Sequence, residues 1–539
     1  MTVPRLDLDS LTLAAVRAGA LAGRRATVLG LARTGAALVR FLVDAGAVVS
    51  TYDRKPAAEL GPALESLGGR PLRLVLGPDV DPADAWRDAD VVAFSPSITP
   101  GYPTAEPRLR DALEQLASRA TAGDPSAPAL VSEPDLFLRL CPAPTVGVTG
   151  TKGKTTTSHL VHALLAADPD HPAVLGGNVG QPLIDRLDEI TPRSRVVVEL
   201  SELQLPSLSR GTTVALYTNV TADHLDRHGS LEAYRQVKRR LADLVDRDGA
   251  LVLNLDDPVV ASYAGIGGAS VVGYRLDRPD AGGLGVVDGW AVAAGVKRLP
   301  LAGGGEAPAG PGGRVMPVGE LQLPGRHNVA NLLAAIGAAM LFGVAPEAIR
   351  AAARGFTGVE HRLERVAEID GITFVNDSQG TQPDAVIAAL RAFEAPLVLI
   401  AGGRDKGTDL GPLAEVVAGR AAAAVLIGES GPALARLFRL AGLARVEEAG
   451  TLAAAVPRAA DLAAELLAAA GRTAGATVLL SPAAASFDQF VDYAERGRSF
   501  KAAVAALASA HAAEGSAGAG ARAADGDASG PTRDGAAGR

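Results

Sequence analysis

The chain has 539 residues, of which 48% are hydrophobic and 21% charged, and its formal net charge is −8. Because this length exceeds what one hydrophobic core usually supports, about three domains of ~150 residues are expected. The acidic balance argues against nucleic acid as a partner, and the single cysteine, Cys141, excludes a protein held together by internal disulfides.

No segment of the sequence is typical of export or of membrane insertion. The N-terminal residues carry acids where a signal peptide has a basic region followed by an apolar run. The longest uncharged apolar run, residues 332–345, is shorter than the ~20 residues of a membrane-spanning helix. We therefore predict a cytoplasmic location and no membrane insertion.

The first 141 residues predict a Rossmann-like, doubly wound α/β domain. Short apolar strands are expected at 26–30, 47–53, 90–96 and 129–135, with an amphipathic helix at 31–46. The turn GLARTG lacks the middle glycine of the dinucleotide fingerprint. The pattern therefore favours a nucleotide other than NAD at the crevice beside the strand ends.

The stretch TGTKGKTTT, residues 149–157, separates an apolar strand from a helical segment. A Gly-rich turn of this kind points several backbone N–H groups at one place, which suits phosphate. Gly153, Lys154 and Thr155 match the second half of the P-loop pattern, whereas Val148 stands where its first glycine is expected. The loop predicts a nucleotide site, with Lys154 on the phosphates and Thr155 on Mg²⁺. The alternative is an ordinary turn with a solvated lysine.

This loop opens a second predicted domain, residues 142–354, resembling a P-loop ATPase with a mostly parallel sheet. Further strands are expected at 195–200, 213–220 and 250–256, and a Gly/Pro-rich surface loop at 303–314. A strand followed by a helix is expected at 319–335.

Acidic and imidazole groups follow two strands of this domain. Glu199 ends one strand, where it could support Mg²⁺ or be merely solvated. His224 belongs to a cluster after another strand, and a role near Mg²⁺ and phosphate is favoured over a zinc site because no cysteine is near. Lys238, considered alone, is typical of a solvated basic helix face.

A third Rossmann-like domain, residues 355–510, is predicted from four apolar strands at 371–378, 395–403, 421–428 and 476–482. Polar groups follow these strands or adjoin them, which suggests a second substrate site at the sheet edge. Residues 511–539 are small, polar and free of aromatic side chains, so a disordered tail is predicted there.

Several motifs, taken together and in this order, resemble those of the Mur ligases: GVTGTKGKTTT, GGNVG, ELSELQL, TNVTADHLDRH, LPGRHNVANLLAA, GVEHRLE and SPAAASFDQFVDYAERG. The resemblance covers residues 24–505 and is closest to the D-glutamate-adding member. It implies that ATP phosphorylates the carboxylate of UDP-N-acetylmuramoyl-L-alanine, and that the amine of D-glutamate then displaces phosphate. It also places the protein in peptidoglycan synthesis, and we expect a monomer.

The resemblance implies a role for each matching residue. For ATP these are Gly150, Thr151, Lys152, Gly153, Lys154, Thr155, Thr156, Asn328, Asn331, Arg362 and Asp377. For two Mg²⁺ ions they are Thr155, Glu199, His224 and a CO₂-derived carbamate on Lys238. For the UDP-substrate they are Arg33, Thr34, Asp53, Asn178, Ser201 and Gln204. For D-glutamate they are Thr381, Lys406, Ser486, Phe487 and Tyr493, and the catalytic set is Lys154, Lys238, His224, Glu199 and His361.

The sequence departs from the family pattern beside the predicted acceptor site. Gln379 and Gln382 stand where the family usually has lysine and asparagine. The alternatives are a sister ligase with another acceptor, including one that adds glutamate to folate, and a catalytically silent nucleotide-binding module.

Overall fold

The computed structural model describes residues 6–98, 106–221, 225–323, 325–405 and 409–525. The chain divides into two compact units, residues 1–357 and residues 358–539. Parallel-rich sheets alternate with helices in both units, which confirms the predicted α/β class.

The N-terminal sheet lies in the first unit. Its elements are α1 (Leu13–Arg17), β1 (Arg25–Leu29), α2 (Arg33–Asp44), β2 (Val48–Asp53), α3 (Gly61–Glu65), β3 (Arg73–Leu76), β4 (Val91–Phe94), α4 (Pro107–Thr121), β5 (Ala129–Ser132) and α5 (Glu133–Leu140). In the described part of this region five parallel strands pair in the order β3-β2-β1-β4-β5. Strand β4 (VVAF) is apolar throughout because hydrophobic clusters cover the sheet on both faces.

The central sheet also lies in the first unit. Its elements are β6 (Thr145–Thr149), α6 (Lys154–Ala166), β7 (Ala173–Gly177), β8 (Arg195–Glu199), β9 (Val214–Tyr217), α7 (Leu225–His228), α8 (Leu231–Leu244), β10 (Ala250–Asn254), α9 (Pro258–Ala261), β11 (Ser270–Tyr274), β12 (Leu284–Val287), β13 (Trp290–Ala293), β14 (Arg314–Pro317), α10 (Arg326–Leu341) and α11 (Pro346–Gly355). Among the described residues nine strands pair in the order β14-β13-β12-β11-β10-β9-β6-β8-β7.

An antiparallel extension of this sheet was not predicted. Strands β12, β13 and β14 pair antiparallel, and the β12–β13 turn consists of Asp288 and Gly289, both with positive φ. An Asp-Gly pair between apolar strands is a hairpin signal that the sequence carries. The strand predicted within 319–335 is wrong, because β14 lies just before it and residues 318–320 form a 3₁₀ helix.

The N-terminal and central sheets share one hydrophobic core. Apolar side chains of α2 and α5 pack with those of the 3₁₀ helix Leu183–Glu189 and with central strands. The two regions are therefore joined by an apolar interface within the first unit. The domain boundary between residues 141 and 142 stays a prediction.

The second unit contains the third sheet. Its elements are β15 (Glu364–Ile369), β16 (Ile372–Asn376), α12 (Pro383–Ala392), β17 (Leu397–Gly402), α13 (Gly411–Arg420), β18 (Ala423–Ile427), α14 (Gly431–Leu440), β19 (Val446–Gly450), α15 (Leu452–Ala469), β20 (Ala476–Leu480) and α16 (Tyr493–Asp525). The order within the described residues is β15-β16-β20-β17-β18-β19, and β15 alone of these pairs antiparallel.

Helix α16 continues to Asp525, so the backbone of residues 511–525 is helical where a disordered tail is predicted. Alanine is abundant in this stretch and is the strongest helix former, which explains the difference. Within the part of the chain that the structure describes, none of the helices has the length and apolar character needed to cross a membrane.

Candidate active site

The predicted phosphate loop joins β6 to α6 at the carboxyl edge of the central sheet. Gly150 and Gly153 both have positive φ, and Gly153 precedes the first residue of α6. The ammonium group of Lys154 donates to the carbonyl oxygens of Gly150 (3.0 Å) and Thr151 (2.9 Å). The lysine thus lies over the loop, and Thr155 is buried in the first turn of α6. This is the strand–turn–helix arrangement that binds phosphate.

Thr218 and Asn219, which follow β9, hold the phosphate loop in place. We did not single them out from the sequence. The side chain of Asn219 accepts from the Lys152 amide (2.9 Å) and donates to its carbonyl (3.0 Å). The Thr218 hydroxyl donates to the same carbonyl (2.6 Å). A Cβ on Gly150 would come within 2.0 Å of that hydroxyl oxygen, so no larger residue fits. Their position after a strand adjacent to β6 was the available signal.

Glu199 ends β8 and is 1% exposed. Its Oε1 accepts from the side-chain amide of Asn178 (2.9 Å), whose backbone amide also bonds to the Glu199 carbonyl (2.9 Å). Its Oε2 is buried and has no hydrogen-bond partner among the described residues. A buried carboxylate oxygen without a hydrogen bond is unfavourable unless a cation or a hydrogen-bond donor binds it. Mg²⁺ is a suitable cation because it prefers oxygen ligands. Glu199 and Thr155 therefore fit a Mg²⁺ site.

Of the two remaining predicted metal ligands, His224 and Lys238, the structure describes only Lys238. His224 lies outside the described residues, and among those that are described no group of three or more His, Cys, Asp and Glu side chains could hold a metal. Lys238 on α8 is completely buried, so the solvated-face alternative is wrong. Its ammonium group donates to the Thr149 hydroxyl (3.4 Å), which places it directly behind the loop.

Tyr234, one helical turn before Lys238, also reaches the loop. Its hydroxyl lies 3.0 Å from the Thr151 hydroxyl, and the Lys238 nitrogen lies 5.5 Å from the centre of its ring. Residues four apart share one helix face, so the motif EAYRQVK carried this signal. Helix α8 thus presents two buried side chains to the phosphate loop.

Helix α10 brings the two predicted asparagines to the same loop. A Cβ on Gly153 would lie 2.8 Å from the side-chain oxygen of Asn331, so the helix packs closely on the glycine. Asn331 donates in turn to the side chain of Asn328 (3.2 Å). Asn331 therefore packs on the loop at Gly153, whereas the binding of ATP by Asn328 and Asn331 stays a prediction.

A cleft of about 600 Å³ lies at the carboxyl edge of the N-terminal sheet. Asp53 lines it, and its two oxygens accept from the amides of Leu31 (2.8 Å) and Lys55 (2.9 Å), so one carboxylate orders both loops. Arg54 and Lys55 also line the cleft and were missed, although the motif YDRK contains them. Arg33 and Thr34 begin α2 and are not among the described lining residues.

Ser201 and Gln204 are buried in the loop after β8 and bond to each other. The backbone amide and hydroxyl of Ser201 both donate to the Gln204 side-chain oxygen, at 2.9 and 3.0 Å. This pair fixes the loop that leads away from Glu199.

In the second unit Asp377 lies at the end of β16. Its carboxylate accepts from the Ser481 hydroxyl (2.6 Å) and from the Leu363 amide (3.2 Å). Burial raises the pKa of Asp377 to about 6, against the lowering effect of these hydrogen bonds. Arg362, which also lowers this pKa electrostatically, is exposed.

His361 is buried with φ of 64°, an uncommon conformation for a residue other than glycine. Its Nδ1 lies 3.0 Å from the side-chain nitrogen of Asn376, which donates to it and so places the ring proton on Nε2. Burial lowers the pKa of His361, which favours this neutral form. A Cβ on Gly497 would lie 2.2 Å from the ring, so the histidine packs directly on α16.

The predicted acceptor residues of the second unit are partly brought together. The hydroxyl of Ser486 and the side-chain oxygen of Gln379 are buried without partners among the described residues. Tyr493 begins α16 and its ring meets that of His361 edge-on. Phe487 is 63% exposed, and Lys406 lies outside the described residues.

Arg496, whose role was not predicted, ties two loops of this edge together. It is 1% exposed, and its guanidinium donates to the hydroxyl and carbonyl of Ser378 (both 3.0 Å) and to the carbonyl of Ala484 (3.2 Å). Burial lowers the pKa of Arg496 to about 10. The motif AERG carried no charge pattern that distinguishes this arginine from a surface residue.

Comparison with known proteins shows the family to which the chain belongs. The family model described as the Mur ligase middle domain matches residues 148–339, and that described as Mur ligase, glutamate ligase domain matches residues 361–484. The chain belongs to the Mur ligase family, as the motifs indicated.

More particularly, its curated relatives carry the name UDP-N-acetylmuramoylalanine–D-glutamate ligase. The protein from Symbiobacterium thermophilum is 37% identical over 91% of this chain and 100% of its own, and that from Roseiflexus sp. (strain RS-1) is 38% identical over 89% and 98%. Among solved structures, the UDP-N-acetylmuramate–alanine ligase of Thermotoga maritima aligns over 88% of this chain and 98% of its own, with 18% identity and a TM-score of 0.48.

Proposed function

We propose that this chain is an ADP-forming ligase that joins D-glutamate to UDP-N-acetylmuramoyl-L-alanine through an acyl phosphate, in peptidoglycan precursor synthesis. Relatives that align over 91% and 89% of this chain are named as ligases of UDP-N-acetylmuramoylalanine and D-glutamate, which supports the proposal. The observation that carries the proposal is the phosphate loop beside Glu199, whose buried Oε2 has no hydrogen-bond partner in the part of the chain that the structure describes.

The chemical difficulty is that the substrate carboxylate and the ATP triphosphate repel each other. Lys154 now donates to loop carbonyls, and these are exchangeable bonds that phosphate oxygens would replace. The backbone amides of the loop provide further donors for the phosphates. Mg²⁺, when bound by Thr155 and Glu199, would neutralise charge between the two anions. Catalysis is then chiefly positioning and charge stabilisation.

Lys238 is proposed to carry the carbamate. Its side chain is completely buried, and its nitrogen lies beside the Thr149 hydroxyl and faces the ring of Tyr234. A carbamate would instead offer oxygen atoms behind the loop, and with His224 it would complete a second Mg²⁺ site. The closeness of Lys238 to the loop supports this role.

The cleft of the N-terminal sheet is the proposed uracil-nucleotide site. Asp53 shapes its floor, and Arg54 and Lys55 offer cations for a diphosphate. Arg33 and Thr34 stand at the first turn of α2, where backbone amides favour an anion. Asn178, Ser201 and Gln204 would serve the muramoyl side.

In the second unit the buried hydroxyl of Ser486 suits a carboxylate of D-glutamate, with Thr381, Lys406, Phe487 and Tyr493 around it. Gln379 adds a neutral amide to this site. Arg362 and Asp377 are proposed for ATP, and His361 for holding α16 against the acceptor loops.

The predicted monomeric state and cytoplasmic location also belong to this proposal. ATP and nucleotide-sugar substrates are in keeping with a cytoplasmic location.

The proposal is tested by phosphate release from ATP with UDP-N-acetylmuramoyl-L-alanine and a panel of D- and L-amino acids. We expect release that requires both the nucleotide sugar and D-glutamate, and its loss in Lys154→Ala. Release with another amino acid would favour a sister ligase, and no turnover with any acceptor would favour a silent module. Lys297→Ala, an exposed lysine of the antiparallel extension, is the control.

A further inference from the structure

The first turn of α5, residues 132–135 with the sequence SEPD, lies in the N-terminal region but bonds to two loops of the central region. Glu133 is 4% exposed, and its Oε1 accepts from the backbone amide of Ile184 (3.2 Å). Ile184 lies in the first turn of the 3₁₀ helix Leu183–Glu189. A carboxylate from one region therefore caps a helix of the other.

The same turn holds the loop that follows Glu199. The Ser207 hydroxyl donates to the Ser132 hydroxyl (2.9 Å), and the Asp135 carboxylate accepts from the amides of Ser209 (2.6 Å) and Arg210 (3.1 Å). Both bonded segments lie next to loops that carry predicted substrate and metal residues. The turn thus connects the N-terminal and central regions by hydrogen bonds across their interface.

A short path leads from Glu133 to the candidate metal carboxylate. The side chain of Leu183 lies against Gly176, where an added Cβ would approach it to 2.6 Å. Gly177 is paired with Glu199 in the sheet, and the next residue, Asn178, bonds to the Glu199 carboxylate. Leu183 is 1% exposed and packs tightly on Gly176, so its displacement would move β7, which Asn178 follows directly. The remaining steps are side-chain hydrogen bonds, from Ile184 to Glu133 and from Asn178 to Glu199.

We propose that Glu133 is a positioning residue that sets the Asn178–Glu199 pair from the N-terminal region by fixing the start of the 3₁₀ helix. Glu133 does not touch substrate or metal in this role. It makes the geometry of the phosphate site depend on the region that holds the nucleotide-sugar cleft. The inference rests on the proposed assignment of Glu199 as a Mg²⁺ ligand.

The test uses the full-length chain with Glu133→Ala and Glu133→Gln, and Glu114→Gln as the matched control, because Glu114 is exposed on α4. Hydrogen exchange of the metal-free protein reports on residues 176–184. Binding of a fluorescent N-methylanthraniloyl ADP, with and without Mg²⁺, reports on the site. We expect faster exchange at 176–184 in Glu133→Ala, and a Mg²⁺-dependent gain in ADP affinity that is roughly 10-fold smaller, as for other groups that orient a metal ligand.

Glu133→Gln keeps the side-chain volume and one acceptor, so it should fold and show a smaller change in the same direction. The inference is overturned if both variants match Glu114→Gln in exchange and in the Mg²⁺-dependent gain. Equal loss of ADP affinity with and without Mg²⁺ would also overturn it, since that indicates general damage. Absence of any Mg²⁺-dependent gain in the wild-type protein would instead remove the proposed metal site.

Discussion

Asn178 donates a hydrogen bond to one carboxylate oxygen of Glu199, and no donor within the described ranges bonds to the other oxygen. The backbone amide of Asn178 holds the Glu199 carbonyl as well, so this residue fixes both the main chain and the carboxylate. A carboxylate kept in one orientation by a neutral amide retains its full charge for a cation. The pair explains why the loop after β7 contributes to a site centred on β6 and β8.

Replacing Asn178 should therefore weaken metal binding more than nucleotide binding. We expect Asn178→Ala to lower the apparent affinity for Mg²⁺ by about 10–100-fold, because the Glu199 carboxylate loses its orienting donor. The measurement is the Mg²⁺ dependence of ATP-driven phosphate release. Gln181→Ala, an exposed amide three residues away, should behave like wild type, and an equal effect in both variants would contradict the role.

Lys238 offers a test of the carbamate. Lys238→Ala should reduce ligation greatly, because the proposed anionic oxygens behind the loop are lost. Formate or acetate, which can enter the space left by the side chain, should restore part of the rate. Full activity of the variant without added carboxylate would remove Lys238 from the mechanism, and the measurement is the initial rate of ligation.

Ser486 should matter for the acceptor rather than for ATP. Its buried hydroxyl has no partner among the residues that the structure describes, so a ligand carboxylate would be a suitable acceptor. Loss of a hydrogen bond to a charged group costs about 1.5–3 kcal/mol, which predicts roughly a 10–100-fold higher KM for D-glutamate in Ser486→Ala. The KM for ATP should stay unchanged. In the control variant Ser509→Ala, which changes an exposed serine of α16, the KM values for D-glutamate and for ATP should both stay unchanged. Parallel rises in both KM values would argue against an acceptor role.

Much of the fold was predictable because its strands are short apolar runs that end at polar or glycine residues. The loop at Gly150–Lys154 and the strand end at Glu199 are local patterns of this kind. The antiparallel extension beyond β11 was missed although Asp288 and Gly289 signal its turn. Such a signal is easily lost among many other glycines.

The supporting residues of the site could not be predicted, because their roles depend on pairing between distant segments. Asn219 bonds to Lys152 only because β9 lies next to β6, and Arg496 reaches Ser378 only because α16 packs on β16. The burial of Lys238 likewise follows from how α8 packs on the sheet, whereas its sequence neighbours are basic. Side chains of the same type become structural or functional through this packing alone.

Glu133 predicts a specific pH dependence of stability. Burial raises its pKa from the ordinary value of 4.5 to about 7; Asp185 raises it further, whereas Arg33 and the Leu183 and Ile184 amides lower it. A raised pKa means that the folded protein holds a proton that the unfolded chain has released. This contribution to stability is fully present below pH ~4.5 and is lost as the pH rises through about 7.

Wild-type protein should therefore lose stability relative to Glu133→Gln between pH 5 and pH 8, by an amount on the order of 1–3 kcal/mol. Thermal unfolding of both proteins at the two pH values measures the difference. A difference that does not change with pH would show that Glu133 has the same protonation state in the folded and unfolded chain. Glu114→Gln should follow the wild-type curve.

The contact between Gly497 and His361 predicts a strongly non-additive pair of substitutions. A methyl group at residue 497 would lie 2.2 Å from the His361 ring, so Gly497→Ala should destabilise the protein by about 1–3 kcal/mol. His361→Ala removes the ring and with it the clash, although it leaves a cavity and removes one of the hydrogen-bond partners of Asn376. The double variant should therefore be more stable than the sum of the two single losses predicts, by about 0.5–3 kcal/mol. Denaturant unfolding of the four proteins gives this coupling directly. Additive losses would mean that the ring does not pack on α16, and His361 would then be available to act on substrate.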